Sequence, residues 1–202
     1  MWELFLSGGP VMAPLLVCSI VALTVVIDRA IFWVALNRRS DTALLNEVMA
    51  LCESGNWEAV RLKAAGARDY VIKIIITGIL HRDFSMTKAM ESAAADQVKR
   101  MRRFMGVLDT MITVAPLLGI FGTVIGIIQS FEALGATGID RPVAVTAGIA
   151  QALITTAAGL GIAILSVIPY NFFDSLCDQA ALRIEKYATS LEIVYEKLVG
   201  TK

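Results

Sequence analysis

Three long apolar stretches alternate with polar segments along the chain. The first covers residues 11–36 and contains a single charged pair, Asp28 and Arg29. The second covers residues 110–131, and the third, residues 143–173, carries no charge. A helix needs about 20 apolar residues to cross the roughly 30 Å hydrocarbon core of a bilayer. We therefore predict three transmembrane helices, with Arg29 extending its guanidinium towards the lipid headgroups.

The segment between the first two spans, residues 37–105, is polar and basic. Its strongly apolar run, Tyr70–Leu80, has only 11 residues and contains a lysine. That length is typical of a helix buried in a bundle rather than of a span. Ser85 is a candidate N-cap for a long helix that begins at about Met86. No stop signal follows before Leu134, so this helix is predicted to run without interruption into the second span.

The chain is predicted to be an all-α membrane protein, in which long helices extend from three transmembrane helices into a cytoplasmic helical bundle. The third span is expected to end near Pro169, and a separate amphipathic helix to pack on the long helix. The predicted segments are an N-terminal periplasmic segment (1–10), the first span (11–36), a cytoplasmic helical region (37–105), the second span (106–134), a periplasmic loop (135–142), the third span (143–173) and a C-terminal cytoplasmic helix (174–202).

Composition and charge narrow the class of protein. Of the 202 residues, 56% are hydrophobic and 18% are charged, whereas soluble domains carry about 25% charged residues. The net charge is zero, which argues against a nucleic-acid partner. Twelve of the 18 basic residues lie in residues 37–105 and four in the tail. The positive-inside rule therefore predicts that these segments are cytoplasmic and that the N-terminus and the 135–142 loop lie outside.

The sequence offers no pattern for catalysis or for a metal. It has one histidine and three widely separated cysteines without a CxxC motif, so neither a zinc site nor a disulfide framework is indicated. Walker A, GxSxG and HExxH motifs are missing from the sequence. We therefore expect a protein that is not an enzyme and has no catalytic residue, no metal and no cofactor.

Small and polar residues recur along the second and third spans. Small residues allow membrane helices to approach closely, and hydroxyls form hydrogen bonds between them. Two interpretations stay open at this point, helix packing alone or hydroxyls that face a polar lumen. The glycines assigned to helix packing are Gly119, Gly122, Gly126 and Gly159. The candidate pore-lining residues are Thr123, Thr156 and Gln151.

Ionisable residues inside a membrane commonly mark ion pathways, but none lies near the middle of any predicted span. If the chain conducts an ion, a partner therefore has to supply the carboxylate. The rival functions are a non-conducting membrane scaffold and a secondary transporter. Transporters commonly show internal repeats, and no inverted repeat is visible in this sequence.

The paired motif APLLGIFGTVIGIIQSF (Ala115–Phe131) and AGIAQALITTAAGLGIAI (Ala147–Ile164), followed by YNFF, resembles the MotA/TolQ/ExbB proton-channel family. The N-terminal span resembles short ExbB-type members. The resemblance implies a bacterial inner-membrane ring of five copies around two single-span partners of the ExbD, TolR or MotB type, each with an essential aspartate. Ion flow, of H⁺ or Na⁺, then drives work on the envelope. The work is TonB-dependent uptake or, as an alternative, Tol–Pal maintenance through a TonB- or TolA-like protein.

The resemblance also assigns individual residues. Thr123 in GTVIG matches the family's second-span threonine, and Thr156 matches the third-span threonine. Gln151 stands where ExbB and TolQ often have glutamate, and Leu165 stands where the family has a proline. The membrane lipid, the pentameric ring and the aspartate-bearing partner are the interactions that the resemblance implies.

Overall fold

The computed structural model describes residues 8–137 and 142–200, and within them every regular element is an α-helix. The helices are α1 (Met12–Arg38), α2 (Thr42–Glu53), α3 (Trp57–Lys63), α4 (Tyr70–Leu80), α5 (Met86–Met101), α6 (Met105–Thr137) and α7 (Pro142–Gly200). Three stretches are long and apolar enough to cross a membrane: Met12–Arg38, Met86–Gly135 and Thr146–Val199. The second of these comprises α5 and most of α6. The predicted fold class is confirmed. Residues 1–7 of the predicted N-terminal segment and residues 138–141 of the predicted loop lie outside the described residues.

The helix that the sequence predicts from Met86 through the second span is interrupted by a turn. Residues 102–104 separate α5 from α6, and Phe104 has a φ of 64°. A bulky residue in this left-handed region cannot continue a right-handed helix, and the conformation costs about 1–3 kcal/mol. Proline and glycine are the usual helix-stop signals, and this turn contains neither. No proline or glycine within residues 102–104 therefore predicts the interruption.

The third span and the C-terminal helix form one element instead of the two that we predicted. α7 has 59 residues and continues through Pro169, which corresponds to about 88 Å of helix. A proline removes one backbone hydrogen bond and clashes with the preceding turn. Here no glycine or loop-forming segment adjoins it, since Tyr170, Asn171 and two phenylalanines follow. The residues on both sides therefore continue the helix past the proline.

The chain divides into two compact units, residues 1–29 with 104–173 and residues 30–103 with 174–202. We call the first the membrane unit, because it holds most of the three apolar stretches. Its interior consists of small clusters, one around Val11, Leu15 and Ala115 and another around Ala22, Val25 and Leu108. Many large apolar side chains of this unit face outward, as expected for helices surrounded by lipid or by further helices.

The second unit, which we call the bundle unit, has a continuous apolar core. The apolar side chains of α4 fill its centre, with Ile72 and Ile75 fully buried, which confirms that this helix is a bundle element rather than a span. One face of the C-terminal part of α7 joins the same core through Cys177, Ile184 and Leu191. Burying an aliphatic side chain of this size stabilises a fold by about 1.5–3 kcal/mol.

Arg29 does not extend towards lipid headgroups as the sequence suggested. The residue is 3% exposed, its guanidinium lies 2.6 Å from the Asp28 carboxylate, and it sits 5.8 Å from the centre of the Phe104 ring. The adjacent carboxylate and the ring face both stabilise the cation. The charge is thus compensated inside the membrane unit, and the prediction of a headgroup contact for Arg29 was wrong.

A buried carboxylate joins three distant parts of the bundle unit. The Asp69 side chain is fully buried and accepts hydrogen bonds from the Val71 amide at 2.8 Å, the Asp41 amide at 3.1 Å and the Ser40 hydroxyl at 3.2 Å. The Arg183 guanidinium lies 3.4 Å from the same carboxylate and donates to the Ser40 hydroxyl at 2.7 Å. Asp69 therefore connects the α1–α2 turn, the start of α4 and α7.

Replacing Asp69 with alanine should unfold the bundle unit at a markedly lower temperature. Asp69→Ala leaves the buried Val71 amide and the partly buried Arg183 cation without their acceptor, and leaving a buried polar group unsatisfied costs about 1–3 kcal/mol. Thermal unfolding of the detergent-solubilised chain, followed by circular dichroism, measures the loss. The matched control is Asp96→Ala, since Asp96 is exposed on α5 and should change stability by no more than about 0.5 kcal/mol. Equal stability of the two variants would contradict the role of Asp69.

Candidate functional site

The candidate site lies where α6 and α7 pack against each other in the membrane unit. The two helices run antiparallel, since Gly126 meets Gly148, Gly122 meets Thr155, and Gly119 meets Gly159. The contacting residues on each helix recur three or four positions apart, which places them along one face. On α6 this face is Ala115, Gly119, Gly122, Gly126 and Ser130, and on α7 it is Gly148, Ala152, Thr155 and Gly159.

The helices approach too closely for side chains at several of these positions. A Cβ atom at Gly126 would lie 2.7 Å from the Gly148 carbonyl oxygen and 2.9 Å from the Ala152 Cβ atom. A Cβ atom at Gly122 would lie 2.5 Å from the Thr155 hydroxyl oxygen. At Gly159 it would overlap the Ala115 carbonyl oxygen. Glycine is thus required at these three positions because backbone or short side-chain atoms already occupy the space.

Two hydroxyls lie along one edge of this contact. The Thr156 hydroxyl donates a hydrogen bond across the interface to the Gly119 carbonyl at 3.0 Å. The Thr123 hydroxyl donates to the carbonyl of Ile120, three residues earlier on its own helix, at 2.5 Å. Each threonine directly follows a residue of the contact face, and on antiparallel helices the two positions rotate towards the same side. The structure therefore brings Thr123 and Thr156 together on neighbouring carbonyls of one α6 turn.

Both edge hydroxyls retain acceptor capacity. A hydroxyl donates one hydrogen bond and offers two lone pairs, and the bonds to the Ile120 and Gly119 carbonyls use the donors of Thr123 and Thr156. Both side chains are only half-buried in the chain. The edge can therefore accept a hydrogen bond from a protonated group or from water, and it can donate to a carboxylate if the hydroxyl leaves its carbonyl.

Gln151 lies apart from the two threonines. It precedes Thr156 by five residues on α7, which is about 7.5 Å along the helix axis. Its amide group occupies the space that a side chain on Gly9 would need, and Gly9 has a φ of +70°. The side chain of Gln151 therefore packs against the backbone that leads into α1.

Thr155 lies at the centre of the interface, whereas the adjacent Thr156 lies at its edge. Thr155 is 1% exposed and contacts Gly122. Its hydroxyl donates to the Ala152 carbonyl of its own helix at 2.8 Å. The spacing of Gly148, Ala152, Thr155 and Gly159 already indicated this position. Thr155 belongs to the packing face and Thr156 to its edge.

Comparison with known proteins finds a matching protein family and several relatives. The MotA/TolQ/ExbB proton channel family matches residues 69–186. An ExbB-like biopolymer transport protein (ExbB-like 3) of Synechocystis sp. is 34% identical over 199 residues, which cover 95% of this chain and 93% of that protein. An ExbB homologue of Methanothermobacter thermautotrophicus is 33% identical over 91% of this chain and 66% of its own length. The Tol-Pal system protein TolQ of Pseudomonas aeruginosa is 33% identical over 57% of this chain and 50% of its own.

A methyl group at Gly159 should separate α6 from α7 and destabilise the membrane unit. Gly159→Ala places a Cβ atom on the Ala115 carbonyl, and overpacking of this kind costs about 1–3 kcal/mol. Gly161→Ala is the matched control on the same helix, since among the described residues no atom outside its own helical turn lies within 4 Å of a Cβ there, and alanine gains up to about 1 kcal/mol in helix propensity. Thermal unfolding in detergent should therefore rank Gly161→Ala above the wild type and Gly159→Ala below it. The reverse ranking would show that the interface is looser than described.

Proposed function

Because the chain belongs to the MotA/TolQ/ExbB proton channel family, we propose that it is the ring-forming subunit of an ion-driven motor of the ExbB type in the bacterial inner membrane. The ion is a proton. A dimer of an ExbD/TolR-type single-span protein occupies the ring, and its aspartate carries the proton past the Thr123–Thr156 edge. The ring and partner convert the ion gradient into work on the cell envelope through a TonB-like protein.

The observation that carries this proposal is the pair of hydroxyls on neighbouring carbonyls. Thr123 and Thr156 bring polar atoms to one edge of a predominantly apolar helix pair. Residues 110–131 and 143–173 contain no Asp, Glu, Lys, Arg or His, so these spans offer hydrogen bonds but no acidic or basic group to carry a proton. A carboxylic acid from a partner can supply the proton, and burial raises the pKa of such a group towards neutrality.

The exposed surface of the membrane unit supports assembly into a ring. Phe121, Val124 and Leu153 are between 50% and 64% exposed in the single chain. Lipid covers part of this surface, but the half-buried hydroxyls require hydrogen-bonding partners other than lipid chains in a bilayer. Neighbouring copies around a central partner supply these partners, and the family's five-fold ring is the arrangement we propose.

Two other functions have specific support. The TolQ protein of P. aeruginosa is among the relatives, which supports a role in Tol–Pal envelope maintenance with a TolA-like protein. The hydrogen bond from Thr156 to Gly119 supports a packing role, and packing alone suffices for a non-conducting scaffold. Uptake and envelope-integrity assays separate the first alternative from the ExbB-type role, and the threonine variants separate the second.

Thr123→Val should strongly reduce proton flux while leaving the complex intact. Valine keeps the shape of threonine but removes the hydroxyl, and membrane hydrogen bonds contribute only about 0.6 kcal/mol to packing. We expect flux in liposomes containing the partner to fall by at least about tenfold, or about 1.4 kcal/mol on the barrier, for both Thr123→Val and Thr156→Val. Native mass spectrometry of the same samples reports assembly.

Thr155→Val is the matched control for these variants. Its hydroxyl bonds within its own helix and lies inside the packing face, so this change should leave flux nearly unaltered. Full flux in Thr123→Val and Thr156→Val would remove the ion-path assignment. Loss of assembly together with flux would favour the scaffold.

The proposed orientation places the bundle unit in the cytoplasm and the α6–α7 connection in the periplasm. Single cysteines can test it, because Cys18, Cys52 and Cys177 are all buried and burial raises the pKa of the Cys52 thiol to about 12. Cys52 is therefore almost entirely protonated at pH 7–8 and reacts little with maleimide, since the thiolate is the nucleophile.

Gly135→Cys should react with a membrane-impermeant maleimide in intact cells, whereas Phe84→Cys should react only after the inner membrane is opened. Gly135 is exposed, and Phe84 is 94% exposed in the bundle unit. The wild-type chain under the same conditions gives the background. Labelling of Phe84→Cys in cells with an intact inner membrane would reverse the proposed topology.

A further inference from the structure

A groove in the bundle unit runs along the last turns of α1. Its volume is about 570 Å³, which is within the range of ligand sites. Four apolar residues form one part of its lining and three arginines form the other. The apolar residues are Ala30, Ile31, Val34 and Ala35, and the arginines are Arg38, Arg39 and Arg68.

The three arginines converge on the groove, and no described residue supplies a counter-ion for them. Arg38 and Arg39 end α1, and Arg68 comes from the turn before α4; all three are exposed. Among residues 8–137 and 142–200, no carboxylate lies within 4.0 Å of any of their side-chain nitrogens. Two other exposed basic residues of the bundle unit do have such partners, since Lys63 lies 2.5 Å from Glu47 and Arg102 lies 2.6 Å from Asp178. The groove therefore presents a concentrated positive charge beside an apolar surface.

The apolar part of the groove continues an exposed stripe along α1. Its large side chains are 47–66% exposed and recur at helical spacing, namely Leu16, Ile20, Leu23, Ile27, Ile31 and Val34. From the first to the last of these is 18 residues, or about 27 Å of helix, close to the roughly 30 Å of a hydrocarbon core. The internal pairing of Arg29 with Asp28 leaves the stripe uninterrupted. On this face the hydrocarbon region thus ends near Val34, and Arg38 lies at headgroup depth.

We propose that this groove binds one anionic phospholipid from the leaflet next to the bundle unit. The phosphate contacts Arg38, Arg39 and Arg68, which can hold it through charge-assisted hydrogen bonds. An acyl chain lies against the apolar residues of the groove and continues along α1. The negative headgroup is complementary in charge to the three cations, and the acyl chain is complementary to the apolar lining. In a phospholipid the headgroup adjoins the acyl chains, as the arginines adjoin the apolar residues in this groove. Lipid binding at this site does not depend on ion conduction, so its test is independent of the proposed function.

Native mass spectrometry of the full-length chain tests the site with defined lipids. The delipidated protein is titrated in detergent with dioleoylphosphatidylglycerol and, separately, with dioleoylphosphatidylcholine. We expect tighter binding of phosphatidylglycerol. Each basic residue at a membrane surface contributes roughly a fivefold gain in affinity. The triple variant R38Q/R39Q/R68Q should therefore lose most of the preference, whereas Arg61→Gln, which removes an exposed arginine elsewhere in the same unit, should keep it.

A second variant separates the lipid from other occupants of the groove. Ala30→Phe fills the apolar part and leaves all three arginines, so it should weaken phosphatidylglycerol binding without changing the oligomeric state. Equal binding of the two lipids, or equal losses in Arg61→Gln and the triple variant, would overturn the proposal. Inorganic phosphate that displaces the lipid while Ala30→Phe has no effect would show a simple anion site. Dissociation of the oligomer in the triple variant, with lipid retained, would show that another copy occupies the groove.

Discussion

The contact of α6 with α7 at backbone distance is the constraint on which the membrane unit depends. Gly122, Gly126 and Gly159 remove the side chains that would otherwise hold the helices apart. In a bilayer no hydrophobic force drives helices together, so close packing and interhelical hydrogen bonds must do so. The bond from Thr156 to the Gly119 carbonyl is possible only at this separation. The same glycines thus stabilise the helix pair and set the position of its polar edge.

Much of the fold follows from hydrophobic periodicity, but its interruptions do not. The three spans and the buried helix Tyr70–Leu80 were predictable because length and apolar content distinguish a span from a bundle helix. The turn at Phe104 was not, because a left-handed φ on phenylalanine reflects tertiary contacts rather than a local signal. Continuity through Pro169 was missed for the opposite reason. A proline is a strong local stop signal, yet the flanking helix tolerates the loss of one hydrogen bond.

The sequence was sufficient to predict which residues form the candidate site, but not which of them lie at its centre and which at its edge. Glycine and threonine at helical spacing indicated a contact face, and the structure distinguishes its centre from its edge. Thr155 lies at the centre and Thr156 at the edge, a rotation of about 100° that a stripe of small residues does not define by itself. The burial of Arg29 was beyond sequence reasoning, because it depends on the ring of Phe104, which is 75 positions later in the chain.

The separation of Asp69 from Arg183 imposes an order on biosynthesis. The two residues are 114 positions apart, and at about 5–20 residues per second a ribosome needs roughly 6–23 s to make that stretch. Throughout this interval the carboxylate exists without its guanidinium, while the second and third apolar stretches are made and enter the bilayer. The bundle unit therefore completes its core only after the last span has been synthesised. A nascent chain that stalls before residue 183 leaves that core open to proteases.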